Sequence, residues 1–112
     1  MITYFHNPNC SKSCAGLKIL SNHELKFHVH NYLDSPLSKE AISHLVTYYK
    51  GPIHQLIRNF NLDEGYDFNN VIDHLYQYPH TMQRPILVFK NRVILGRPLE
   101  NIIKFIDDYS TK

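Results

Sequence analysis

A helical stretch between two strand-forming runs opens this 112-residue chain, and two more such runs joined by a polar turn lead into the amphipathic stretch near its end. That order limits the fold more than composition does. Residues 2–5 are β-rich, residues 11–20 place Cys14, Leu17 and either Leu20 or Lys18 at helical spacing, and residues 26–29 alternate basic and apolar side chains. A strand, a helix and a strand in that order predict a right-handed crossover, so the sheet begins with parallel pairing. Towards the other end, residues 86–89 and 93–95 flank Lys90-Asn91-Arg92 and predict an antiparallel hairpin. Gly96-Arg97-Pro98 then ends the strand, and Leu99, Ile102, Ile103 and Ile106 mark one face of a last helix.

The middle of the chain is helical. Ser38 is placed to cap a helix whose apolar positions are Ala41, Ile42, Leu45 and Val46, running to about Tyr49. Gly51-Pro52 punctuates the chain, after which Ile53, Leu56 and Ile57 predict a short third helix up to Arg58. Residues 59–66 are polar and Gly-bearing, and residues 69–78 return to helical spacing through Val71, Ile72 and Leu75 before Pro79 stops them. With no repeat, linker or low-complexity tract, residues 1–112 read as one α/β domain.

Composition narrows the function classes. The two cysteines are four positions apart, so a bridge between them would constrain the unfolded chain little, and they read as reactive thiols in a reducing cytoplasm. No basic n-region precedes an apolar run, and the longest apolar stretch, residues 85–89, is too short to cross a bilayer, so no membrane is expected. A net charge of +2 spread along the chain gives no support for direct nucleic-acid binding. Eight histidines occur without a Cys-x-x-Cys, a His-Glu-x-x-His or a carboxylate cluster, so no metal site is predicted.

The residue that carries chemistry is Cys10, in the run His6-Asn7-Pro8-Asn9-Cys10-Ser11-Lys12-Ser13, where a strand has ended and a helix begins. Helix N-termini offer unpaired amides and partial positive charge, both of which favour a thiolate. An ordinary thiol with a pKa near 8.5 is only about 3% ionised at pH 7, and a helix end contributes about 0.3–1 kcal/mol, too little alone to make it mostly charged. Cationic neighbours must add the rest, and His6, Lys12, Arg58, Arg84 and Arg97 are the candidates. His6 either stabilises the thiolate or bonds the loop, while Ser13 caps loop amides or faces an anion. Asn7 and Pro8 shape the turn. Cys14, one helical turn beyond Cys10, is either a packed side chain or a resolving thiol.

The order βαβ, helical insertion, ββα resembles that of a thioredoxin-like (glutaredoxin-like) fold with a four-stranded mixed sheet. Pro85, preceded by Arg84, stands where that fold places a proline, usually cis, opposite the thiol. Four motifs extend the likeness: His6-Asn7-Pro8-Asn9-Cys10-Ser11-Lys12-Ser13, Leu56-Ile57-Arg58, Arg84-Pro85-Ile86 and Gly96-Arg97-Pro98. Together they resemble the glutaredoxin-coupled arsenate reductases, the ArsC family with its Spx-like relatives. The resemblance implies Cys10 as nucleophile, Arg58, Arg84 and Arg97 around arsenate or a related oxyanion, no bound cofactor, and glutathione as co-substrate with glutaredoxin as partner. It also leaves two other activities open: an Spx-like redox-responsive regulator binding RNA polymerase, and a glutathione-dependent reductase of another substrate. Cys14 stands where many of the reductases carry an arginine, so that one anion-side positive charge is either missing or replaced by Lys12, and Cys10-x-x-x-Cys14 differs from the Cys-x-x-Cys of the regulators.

Overall fold

The computed structural model describes residues 1–23, 25–59 and 67–110, and it brings the N-terminal and C-terminal units into one sheet. β1 (Ile2–His6) passes through α1 (Ser11–Ser21) to β2 (Phe27–Asn31), and the two strands pair in parallel with Tyr4 opposite Val29. β3 (Ile86–Phe89) lies antiparallel to β1, and β4 (Arg92–Leu95) antiparallel to β3, giving the order β2-β1-β3-β4. This is the mixed four-stranded sheet that the sequence predicts.

Period-2 alternation sends the strand side chains to two helical layers. Ile2, Tyr4 and Leu87 pack on Leu20 of α1 and on Ile102, Phe105 and Ile106 of α4 (Glu100–Ser110). Phe5, Ile86 and Val93 point the other way, onto Ile42, Leu45 and Val46 of α2 (Lys39–Tyr48) and Val71, Ile72 and Leu75 of α3 (Phe68–Gln77). Each such side chain, fully buried, contributes about 1.5–3 kcal/mol. Both helices of the second layer start at side-chain caps: Ser38 Oγ accepts from the Ala41 amide at 3.1 Å, and Asp67 Oδ1 from the Asn70 amide at 2.8 Å. None of the helices among the described residues is long and apolar enough to cross a membrane.

Three expectations change. The predicted third helix up to Arg58 is a single 3₁₀ turn, Ile53–Leu56. Ile57 leaves it in extended conformation to bridge Met82, with the Arg58 amide donating to Thr81 O at 2.7 Å and the Gln83 amide to Leu56 O at 2.8 Å. These long-range bonds compete successfully with another helical turn. On α1 the buried stripe is Ser13, Gly16 and Leu20, with Leu17 packed against the same cluster as expected, whereas Cys14 is exposed and its packing role falls away. The hairpin turn is shorter by one residue, because Lys90 adopts φ 55° and lets Arg92 pair with Phe89. Of the polar segment at 59–66, residues 60–66 lie outside the described residues.

The topology gathers one end of the sheet. Phe5 stands opposite Ile86 and Ile86 opposite Leu95, so the loop after β1, the residues before β3 and those after β4 converge. The Gly96 amide donates to Pro85 O at 2.8 Å, and a Cβ on Gly96 would meet Pro85 Cγ at 2.8 Å. Only a glycine permits that approach.

Candidate active site

Cys10 is the N-cap residue of α1, in extended conformation. Its own amide donates to Asn7 O at 3.1 Å and its carbonyl accepts from the Cys14 amide at 3.0 Å, so the sulfur is carried by a closed turn at the helix entrance. Partial burial pushes the thiol upward, but the amides of Ser13 and Lys12 and the guanidinium of Arg84 outweigh it and bring the pKa down to about 7. Those amides favour the charged sulfur by facing it, without the geometry of a full capping hydrogen bond. Lys12 therefore acts through its backbone, and its side chain is exposed.

Ser13 is fully buried and organises the loop. Its Oγ accepts from the Asn7 amide at 3.0 Å and lies 2.7 Å from His6 Nδ1, while its carbonyl accepts from Tyr4 Oη at 2.6 Å. Burial lowers the pKa of His6, which favours the neutral ring. The hydrogen bond between His6 Nδ1 and Ser13 Oγ ties the end of β1 to the loop. Burial also raises the pKa of Tyr4, so its phenol remains a donor to Ser13 O.

Two of the three arginines meet at the sulfur. Arg97 Nη2 lies 3.3 Å from Cys10 Sγ, and Arg97 Nε donates to Arg84 O at 2.7 Å. Asn101, in the first turn of α4, donates to Arg97 O at 3.0 Å and to Leu95 O at 3.1 Å, fixing the segment from which the guanidinium reaches. Arg84 is only 8% exposed, and its Nη1 donates to His80 O at 3.0 Å and sits 3.4 Å from Met82 O. Its Nε is buried and has no hydrogen-bond partner. Both Arg84-Pro85 and Arg97-Pro98 are cis peptides; the first is the one the fold resemblance implies.

Arg58 is not brought to the sulfur. It sits in an exposed turn, with its backbone tied to Thr81 and no partner for its side chain among the described residues. Cys14 Sγ lies 3.4 Å from Pro8 O, over the loop that precedes Cys10. Arg97 also lines an open groove of about 1060 Å³, together with Gln83, Ile57, Asn59, Lys50 and Lys104. Asn101, the positioning residue for Arg97, escaped the sequence reading because nothing local marks an asparagine as a clamp on a strand end. Among the described residues no three His, Cys, Asp or Glu side chains form a metal-holding group.

No family model matches the chain. An arsenate reductase of Neisseria meningitidis is 30% identical over 110 residues, covering 90% of this chain and 94% of the relative. The global transcriptional regulator Spx of Streptococcus pneumoniae is 28% identical over 115 residues, covering 95% of this chain and 86% of the relative. Among solved structures, a candidate arsenate reductase of Yersinia pestis superposes with a TM-score of 0.80 at 26% identity, covering 93% of this chain and 99% of the other. An arsenate reductase of Vibrio cholerae gives 0.79 at 24% identity, covering 92% and 95%, and bears on the fold alone.

Proposed function

The chain belongs to the ArsC family of arsenate reductases, the thioredoxin-like fold included, and on that premise we propose that it is a thiol-dependent oxyanion reductase with Cys10 as nucleophile. The observation that carries this reading is the 3.3 Å approach of Arg97 Nη2 to a sulfur already favoured as thiolate by a helix entrance. Arginine suits the task because its planar fork pairs two oxygens and keeps its charge at any working pH. Arg84 adds a buried Nε donor with no partner of its own. Leaving such a donor unmet costs about 1–3 kcal/mol, which an anion oxygen recovers on binding.

In the reaction, the Cys10 thiolate attacks the arsenic of arsenate and one oxygen leaves as water. The electrons come from two glutathione thiols. The first attacks the Cys10 sulfur of the adduct, and the sulfur–arsenic bond breaks with its electron pair staying on arsenic, so that As(V) departs as arsenite. Cys10 is left in a mixed disulfide that the second thiol reduces, giving oxidised glutathione and free Cys10. Arg97 and Arg84 offset the charge of the oxyanion as the sulfur–arsenic bond forms. The groove of about 1060 Å³ beside Arg97, with Lys50 and Lys104 on its walls, has room and positive charge for a peptide thiol with carboxylates, and glutaredoxin then recycles the mixed disulfide. A cytoplasmic setting follows from a mechanism that needs free thiols.

The test is a coupled assay that follows NADPH with glutathione, glutathione reductase and glutaredoxin, with and without arsenate. Arsenate-dependent oxidation is expected. No arsenate dependence in folded protein, together with a reversible Cys10–Cys14 disulfide, would instead place the chain with the Spx-like regulators that bind RNA polymerase. Turnover of another oxidant at the expense of glutathione would mean a glutathione-dependent reductase with a different substrate.

A further inference from the structure

Tyr32, the residue after β2, is fully buried, and the chemistry described above does not use it. Its hydroxyl lies 3.5 Å from Met82 O, and Arg84 Nη1 lies 3.4 Å from that same carbonyl, so phenol and guanidinium converge on one acceptor just before β3. Asn7 is buried as well. Its Oδ1 accepts the Asn9 amide at 2.9 Å, which leaves the Nδ2 hydrogens to find an acceptor elsewhere. Burial pushes the Tyr32 phenol up, the Arg84 charge and a hydrogen bond with the Asn7 side chain pull it down, and the charge of Cys10 pushes it up again. The phenol oxygen therefore shares its acceptor with the Arg84 guanidinium and lies within electrostatic reach of Asn7 and the sulfur.

Each neighbour of the phenol leads to Cys10 by a short path. The Asn7 carbonyl accepts the Cys10 amide at 3.1 Å, and the Arg84 carbonyl accepts Arg97 Nε at 2.7 Å while Arg97 Nη2 reaches the sulfur. We propose that Tyr32 is a positioning residue for the thiol site: its hydroxyl accepts from Asn7 Nδ2 and from Arg84, donates to Met82 O, and so holds the guanidinium and the turn bearing Cys10 in register. A phenol is suited to this place because its ring fills the core while its oxygen serves one proton outward and two inward. The inference rests on Cys10 being the reacting thiol of the proposed reductase, and not on arsenate being the substrate.

The experiment is the pH profile of Cys10 alkylation by iodoacetamide in the Cys14→Ser background, which needs neither arsenate nor glutathione. Tyr32→Phe keeps the ring and removes the oxygen. Its alkylation midpoint is expected to rise by about 0.5–1 unit, the effect of one lost hydrogen bond, while Tyr76→Phe, on the exposed face of α3, leaves the midpoint in place. Combined with Arg84→Lys, Tyr32→Phe should shift the midpoint by less than the sum of the single shifts, because both act through the same guanidinium. An unmoved midpoint in folded Tyr32→Phe, or fully additive shifts, would overturn the proposal. If Tyr32→Phe does not fold, NMR on the wild type decides: contacts between the Asn7 Nδ2 protons and the Tyr32 ring protons are expected, and their absence overturns it. A shifted midpoint with no arsenate turnover would leave Tyr32 in its role and remove only the arsenate reading.

Discussion

Residues 57–59 and 96–98 belong to two turns at the same groove, yet they hold their arginines in opposite ways. Arg97 hangs from a segment clamped by Asn101 and Pro85, and its guanidinium is tied at one nitrogen to Arg84 O and at another to the Cys10 sulfur. Arg58 has a firmly bonded backbone and an exposed side chain. The difference teaches that identical charges contribute according to how little they must be ordered when an anion arrives. A preorganised guanidinium keeps most of its electrostatic energy for the transition state, whereas a swinging one gives part of it up as conformational entropy.

The comparison has meaning only if the sulfur is the reacting group. Cys10→Ser is expected to lower arsenate turnover by roughly 10³-fold or more, since a hydroxyl is a far weaker nucleophile at this pH. The same variant isolates the thiolate's effect on stability. A thiol held near pH 7 in the fold, below its unfolded value of about 8.5, stabilises the protein fully above the unfolded value and loses that contribution as pH falls through 7. Thermal melts should therefore show wild type gaining on Cys10→Ser between pH 6 and 9, and parallel curves would refute the depressed pKa.

Next in size is Arg97→Lys. It keeps the charge and loses the fork that joins Arg84 O to the sulfur, so kcat/KM for arsenate should fall by about 10- to 100-fold, the worth of one charged hydrogen bond. Kinetics within twofold of wild type would show that the pinned geometry matters no more than the charge.

That Arg97 deserved such attention was legible in the sequence only through its motif. The βαβ and ββα units could be read because alternating runs such as residues 86–89 and the Leu99, Ile102, Ile106 stripe have one sensible period each. The segment at Ile53–Leu56 could not, because its apolar spacing suits a 3₁₀ turn as well as a helix, and the bridge from Ile57 to Met82 that decides the matter is set 25 residues away in the chain. On α1 the expected Leu17 and Leu20 do reach the core, but Ser13 and Gly16, neither of them apolar by type, complete its face under Tyr4 and Ile102 where Cys14 was expected. Tyr32 was one tyrosine among eight until the fold set it beside Arg84 and Asn7.

A smaller effect is expected at the unpinned arginine, whose neighbours Ile57 and Asn59 line the groove. Arg58→Ala should raise the arsenate KM by about two- to fivefold with kcat little changed, in keeping with the ~0.2–1 kcal/mol that exposed charges contribute. Raising ionic strength should shrink this difference, whereas the Arg97→Lys deficit persists, because partly buried pairs such as Arg97 and Cys10 are screened less than exposed charges. A loss at Arg58 as large as that at Arg97 would mean that substrate binding draws the exposed turn inward.

The smallest effect belongs to Cys14→Ser. The thiol is exposed and lies 3.4 Å from Pro8 O, a contact that a serine hydroxyl can also make, so stability should stay within about 0.5 kcal/mol and turnover within twofold. That outcome would mean that glutathione suffices to release arsenite. A loss of tenfold or more would instead make Cys14 the resolving thiol, with an internal disulfide as the oxidised product. The reductant would then act on that disulfide rather than on a sulfur–arsenic adduct, and the clamp on Arg97 would serve only the first half of the cycle.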